Sequence, residues 1–124
     1  MGLPWWLPFG RVPEIEAREL HDRLVGASAP QVIDVRTSAE WHVSRIAGAI
    51  NAPITELKGM LASLGLDRNR PVVAVCRSAH RSIPAVRLLR AQGFDVCQLH
   101  KGMRAWWAAD LPVEGENQDA SNTV

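Results

Sequence analysis

The sequence predicts a small α/β domain in which a mainly parallel β-sheet is flanked by helices on both faces. Short, wholly apolar and β-branched runs such as Val72-Val73-Ala74-Val75 read as strands covered on both sides. Each run is followed, after a brief polar loop, by a stretch with apolar residues at helical spacing. The alternation continues with no internal repeat and no low-complexity run, as expected of strand-helix units rather than hairpins.

A chain of 124 residues is sized for a single core. Its net charge of +1, with 22% charged residues, supplies no global field of the kind that draws a nucleic acid, so none is expected as the main partner. Two cysteines do not make a disulfide framework, and a cytoplasmic, reducing location is expected, although a Cys76–Cys97 bridge stays open. The opening Leu3 to Phe9 carries Trp5, Trp6 and Phe9 in a stretch broken by Pro4 and Pro8, with no basic leader and no room for a spanning helix. This apolar segment, residues 1–10, is expected to fold back on the domain, or else to dock a partner or lie at a membrane interface. The domain proper is expected over 11–113, with 114–124 a polar, disordered tail.

Taken in order, Ala17, Leu20 and Leu24 predict a helix starting near Pro13 and stopping before Gly26, with His21 solvated. Gln31 to Val35 is the next strand, ending in Asp34-Val35-Arg36. A short helix follows, with Ser38 as its N-cap, and Arg36 and Glu40 are close enough in sequence to pair; His42 is expected to be structural. Arg45 to Pro53 reads as a glycine turn and a short strand closed by proline. Thr55 then caps a helix whose Leu57, Met60, Leu61 and Leu64 form a core-facing stripe. After Val72 to Val75, Ser82 to Ala91 forms a helix closed at Gln92-Gly93, and Phe94 to Leu99 the last strand. From His100 the chain turns into a final helix, with Gly102 allowing a tight approach. Of Trp106 and Trp107, one is expected in the core and the other near the mouth of a site.

The candidate chemistry gathers at Cys76-Arg77-Ser78-Ala79-His80-Arg81-Ser82. Cys76 stands at the carboxyl end of a strand, where open α/β sheets bind ligands and where the next helix offers free N–H groups to an anion. Arg77, His80 and Arg81 bring positive charge beside the thiol, which favours the nucleophilic thiolate. Free cysteine is otherwise a small core residue, and Cys97, inside Phe94 to Leu99, fits that description.

These residues resemble the rhodanese homology domain in its single-domain sulfurtransferase form. The resemblance rests on Asp34-Val35-Arg36, on Glu40 with Ile46 to Pro53, on the Cys76 to Ser82 loop, and on Gly102-Met103-Arg104-Ala105-Trp106, in that order. It implies a sulfurtransferase that moves a sulfane sulfur from an anionic donor such as thiosulfate, through a persulfide on Cys76, to cyanide or a thiol. That thiol is either a small molecule or a protein side chain. No metal or cofactor is implied. Loop N–H groups from Arg77 to Ser82 are expected to hold the anionic sulfur, and Arg77 and His80 to draw the donor. Arg81 would keep the loop closed, and Ser78 and Ser82 would supply hydrogen bonds. Asp34, Arg36, Glu40, Gly102 and Trp106 would support the site. The chain departs from the family where Ser44-Arg45-Ile46 replaces a frequent glycine-histidine-isoleucine, and where Lys101-Gly102 replaces a frequent glycine pair.

Two other readings compete. A cysteine phosphatase or arsenate reductase also uses a thiolate and an arginine around an anion, but with five residues between them; here four separate Cys76 from Arg81, a cradle fitted to one sulfur atom. A non-enzymatic interaction or redox-sensing module is the other, since a fold does not dictate a function.

Overall fold

The computed structural model describes residues 10–116. Five parallel strands, β1 (Glu14–Ile15), β2 (Gln31–Asp34), β3 (Ile50–Asn51), β4 (Val72–Val75) and β5 (Val96–Leu99), form one sheet in the order β1-β5-β4-β2-β3. The helices are α1 (Ala17–Leu24), α2 (Ser38–Val43), α3 (Leu57–Met60), α4 (Ser82–Ala91) and α5 (Gly102–Ala108), with a 3₁₀ turn at Leu61–Ser63.

Because side chains alternate along a strand, the sheet feeds two cores. Val72, Ala74 and Cys76 pack with Ile33, Val35, Leu57, Val86 and Leu89 on the α3/α4 face. Val73 and Val75 pack with Leu20, Leu99, Met103 and Trp106 on the α1/α5 face. The central β4 is buried along its whole length, which is why its sequence shows no polar alternation. The Leu57 stripe does face the core, with Leu57 fully buried and Met60, Leu61 and Leu64 packed beside it. Among the described residues, no helix is long and apolar enough to cross a membrane.

Several local expectations are corrected. The chain just after Pro13 is an edge strand: the Gln98 and His100 N–H groups donate to the carbonyls of Pro13 and Ile15, each at 2.9 Å, and α1 starts only at Ala17. Two residues are too few for any periodicity to show. Thr37, not Ser38, caps α2, through a reciprocal capping box with Glu40. Helix α3 begins after Glu56 with no side-chain cap, so Thr55 does not fill that role. Glu114, placed by sequence in the tail, pairs with Arg45 as an antiparallel bridge, each N–H donating to the other's carbonyl at 2.9 Å. The Leu3 to Phe9 segment and the tail after residue 116 lie outside the described residues.

Candidate functional site

Cys76 follows β4 directly and is 1% exposed, its side chain on the α3/α4 face. Both cysteines are free, and they sit on opposite faces of the sheet, so a bridge between them is not formed. Cys97 is half-buried against the α1/α5 core, and burial pushes its thiol pKa up, as befits a packing residue.

The loop from Arg77 to Arg81 leads into α4, whose first turn has no side-chain cap. Among the described residues, no backbone carbonyl takes the N–H of any loop residue from Arg77 to Arg81. Ala79 holds φ at +82°, a left-handed conformation that strains a residue with a Cβ. Arg77 and His80 are exposed at the rim, Ser78 is half-buried, and Ser82 is buried with its Oγ 3.6 Å from Cys76 Sγ.

Helix α5 fixes the start of the loop. The N–H groups of Met103 and Arg104 donate to the carbonyls of Cys76 (2.8 Å) and Arg77 (3.0 Å). This approach is possible because Gly102, at φ +58°, has no Cβ: one built there would stand 2.2 Å from the Cys76 carbonyl oxygen.

The acidic and basic residues pair differently from the expectation. Arg36 does not meet Glu40. Its guanidinium folds back onto Asp34, with Nε to Oδ1 at 3.0 Å and Nη2 to Oδ2 at 2.7 Å, while Nη2 also donates to the Ser44 carbonyl. Both partners are almost fully buried, so this pair ties the end of β2 to the end of α2. Glu40 instead receives Arg81 in a two-pronged contact, Nη1 to Oε1 at 2.5 Å and Nη2 to Oε2 at 2.9 Å. The capping box explains the choice, because Thr37 holds Oε1 in place and leaves the carboxylate facing the loop.

The hydrogen bond from Arg81, with smaller help from Thr37, holds the Glu40 carboxyl down at about 2. Arg81 is raised in turn, first by its hydrogen bond to Glu40 and more weakly by the negative charge of Asp34. A depressed acid contributes stability above its ordinary pKa of 4.5 and loses it as pH falls toward 2. Urea unfolding should therefore show the wild type weakening across that acid window, whereas Glu40→Gln should be flatter there and weaker at neutral pH. Equal pH slopes for the two proteins would contradict the pairing.

The tryptophans divide as expected, one in the core and one at the surface. Trp106 is buried in the α1/α5 core, its indole N–H donating to the Pro112 carbonyl at 2.9 Å. The one beside the site is Trp107, 39% exposed, whose Nε1 donates to Ser44 Oγ at 2.9 Å. Trp107, Val43, Ala39, Arg36, Glu40 and Arg77 line a cavity of about 340 Å³ next to the loop. A larger cavity of about 680 Å³ opens at the opposite, amino-terminal end of β2, away from the loop.

The rhodanese-like domain profile matches residues 16–109, nearly the whole described sheet and its helices. The chain belongs to the rhodanese-like domain family. It is similar to the HTH-type transcriptional regulator Rv0324 of Mycobacterium tuberculosis, 44% identical over 67% of this chain and 37% of the regulator. It is also similar to a sulfurtransferase of Allochromatium vinosum, 33% identical over 82% of this chain and 94% of that protein. The chain thus spans little more than a third of the first relative and nearly all of the second. Among solved structures, a rhodanese-related protein of Thermoplasma volcanium superposes with a TM-score of 0.75 at 29% identity, covering 83% of this chain and 98% of that one.

Against the rhodanese pattern, the two departures are accommodated locally. Lys101 adopts φ +58°, a glycine-like conformation in place of the first glycine of the frequent pair. Ser44 is buried and uses both its oxygens, the carbonyl for Arg36 and the hydroxyl for Trp107. Sequence reasoning did not single out Ser44, Gln98, Glu14 or His100 as site residues. Only Gln98 left a signal, a polar side chain within an otherwise apolar strand.

Proposed function

We propose that this rhodanese-like domain is a sulfurtransferase and that Cys76 is its sulfur carrier. The observation that carries the reading is the placement of a thiol at the end of β4, beneath a loop whose N–H groups are untaken among the described residues and ahead of an uncapped helix. Such dipoles, with Arg81 beside them, favour a sulfur anion at that point. The likeness to a named sulfurtransferase over almost all of its length supports the same chemistry.

In the proposed cycle the Cys76 thiolate attacks the outer sulfur of a donor such as thiosulfate. The S–S bond breaks, sulfite leaves with the electron pair, and Cys76 holds an anionic persulfide. An acceptor nucleophile, cyanide or a thiolate, then attacks the terminal sulfur, and the Cys76 thiolate departs with the bonding pair. Arg77 and His80 draw the anionic donor to the rim, where Arg77 borders the cavity lined by Val43 and Trp107. Arg81, held by Glu40, keeps the loop closed.

The four-residue loop favours one sulfur over a tetrahedral oxyanion. Thiosulfate with cyanide should give Cys76-dependent thiocyanate, while an aryl phosphate should give no turnover above a Cys76→Ser control; the reverse result would assign a phosphatase. The 44% identity to part of a transcriptional regulator favours a second reading, a sensing module within a longer protein. That reading is preferred if thiosulfate loads Cys76 but no acceptor discharges it.

A further inference from the structure

Behind the Cys76 loop lies a chain of side-chain hydrogen bonds that the proposed cycle does not use. Gln98, on β5 and 4% exposed, stands opposite Glu14 of β1 in the sheet register, on the α4 face of the sheet. Its Nε2 donates to Glu14 Oε2 at 2.9 Å, and Glu14 Oε1 is 2.9 Å from His100 Nδ1 at the domain surface. A carboxylate only accepts, so the amide nitrogen must face Glu14 and the amide oxygen must face inward. That oxygen lies 2.6 Å from Ser82 Oγ. The Ala79 carbonyl, also only an acceptor, is 3.0 Å from the same hydroxyl. Ser82 has one proton, and both of these oxygens compete for it. What Ser82 turns toward Cys76 Sγ, 3.6 Å away, is therefore a lone pair, which accepts from the S–H of the neutral thiol.

Resting on the reading of Cys76 as the reacting thiol, we propose that Gln98, oriented by Glu14, is a positioning residue that commits the Ser82 proton away from sulfur. In this arrangement the Ser82 hydroxyl gives no proton to the sulfur. The thiolate gains the Ser82 hydroxyl as a donor only when Ser82 gives up its bond to Gln98. The charged and titratable groups on the elements around Cys76 include Arg77, His80 and Arg81 of its loop, Asp34 at the end of β2 with Arg36 beyond it, Glu40 of α2, Lys58 of α3, Arg87 and Arg90 of α4, Lys101 and Arg104 at the start of α5, and Glu14 and His100 of the network itself. A substitution at Gln98 leaves every one of these in place, so it isolates the contribution of the Ser82 proton.

The test is alkylation of Cys76 by iodoacetamide across pH, read by peptide mass so that Cys97 is counted separately. Gln98→Met keeps the chain length and removes the acceptor. It should lower the alkylation midpoint by about half to one pH unit, the scale of one hydrogen bond to a charged group shared with the remaining Ala79 carbonyl. Glu14→Gln, at an exposed position that tolerates change, lets the Gln98 amide turn and should shift the midpoint in the same direction by less, which covers the case in which Gln98→Met does not fold. Adding Gln98→Met to a Ser82→Ala background should produce no further shift. An unchanged or raised midpoint in both single variants, or a shift that survives without Ser82, would overturn the proposal. Alkylation needs no sulfur donor, so a protein that fails to take up sulfur yet shows these shifts loses the sulfurtransferase reading and keeps the positioning role of Gln98.

Discussion

Cys76→Ser should reduce thiocyanate formation from thiosulfate and cyanide to the rate of the protein-free reaction. A serine hydroxyl cannot carry sulfane sulfur, and no other residue at the site can replace the thiolate, because Cys97 lies on the opposite face of the sheet with its thiol pushed up by burial. The fold should survive. Cys76 is buried, but the exchange conserves volume and the new hydroxyl meets Ser82 Oγ, so the cost should stay near ~1 kcal/mol, a few degrees in thermal midpoint. A variant that keeps its melting behaviour and loses all turnover separates chemistry from stability.

Gly102→Ala should do the opposite and damage both together. The added methyl would stand 2.2 Å from the Cys76 carbonyl oxygen and 2.7 Å from the Arg77 carbonyl carbon and oxygen, and these are backbone atoms with no rotamer to escape into. The backbone at φ +58° is strained for alanine as well. Relief requires α5 to withdraw, which breaks the bonds from the Met103 and Arg104 N–H groups to the Cys76 and Arg77 carbonyls. We expect a loss of roughly 2–4 kcal/mol, a midpoint lower by about 10 °C or more, and a corresponding loss of sulfur transfer. Gly59→Ala is the control, since nothing lies within 4 Å of its Cβ position and its backbone is not left-handed; it should be neutral or raise stability by up to about 1 kcal/mol. If Gly102→Ala behaved like Gly59→Ala, the close seating of α5 on the loop would be wrong.

Much of this molecule was legible in its residue pattern because the sheet is parallel and doubly covered. The wholly apolar Val72 to Val75 announces a central strand, and a cysteine directly after it is placed at the sheet's carboxyl edge by topology alone. Gly102 was legible for a related reason, a glycine where a helix begins beside that edge. What could not be read were pairings that depend on three-dimensional direction. Arg36 is near Asp34 and Glu40 alike in sequence, and only the course of β2 into α2 shows that it turns back while Glu40 reaches Arg81 across the site. Trp106 and Trp107 are interchangeable in a sequence, and the phase of α5 decides which is core. Glu14, Gln98 and His100 are brought together by an edge strand of two residues, too short to leave any periodic signal.

The measurement that bears most directly on the central claim is intact mass after brief exposure to thiosulfate and removal of excess donor. The wild-type chain should gain the mass of one sulfur atom, mapped to Cys76, lose it on addition of cyanide, and show no gain in Cys76→Ser. A wild-type chain that gains nothing, or a Cys76→Ser chain that gains the same sulfur, would contradict a persulfide carried on Cys76.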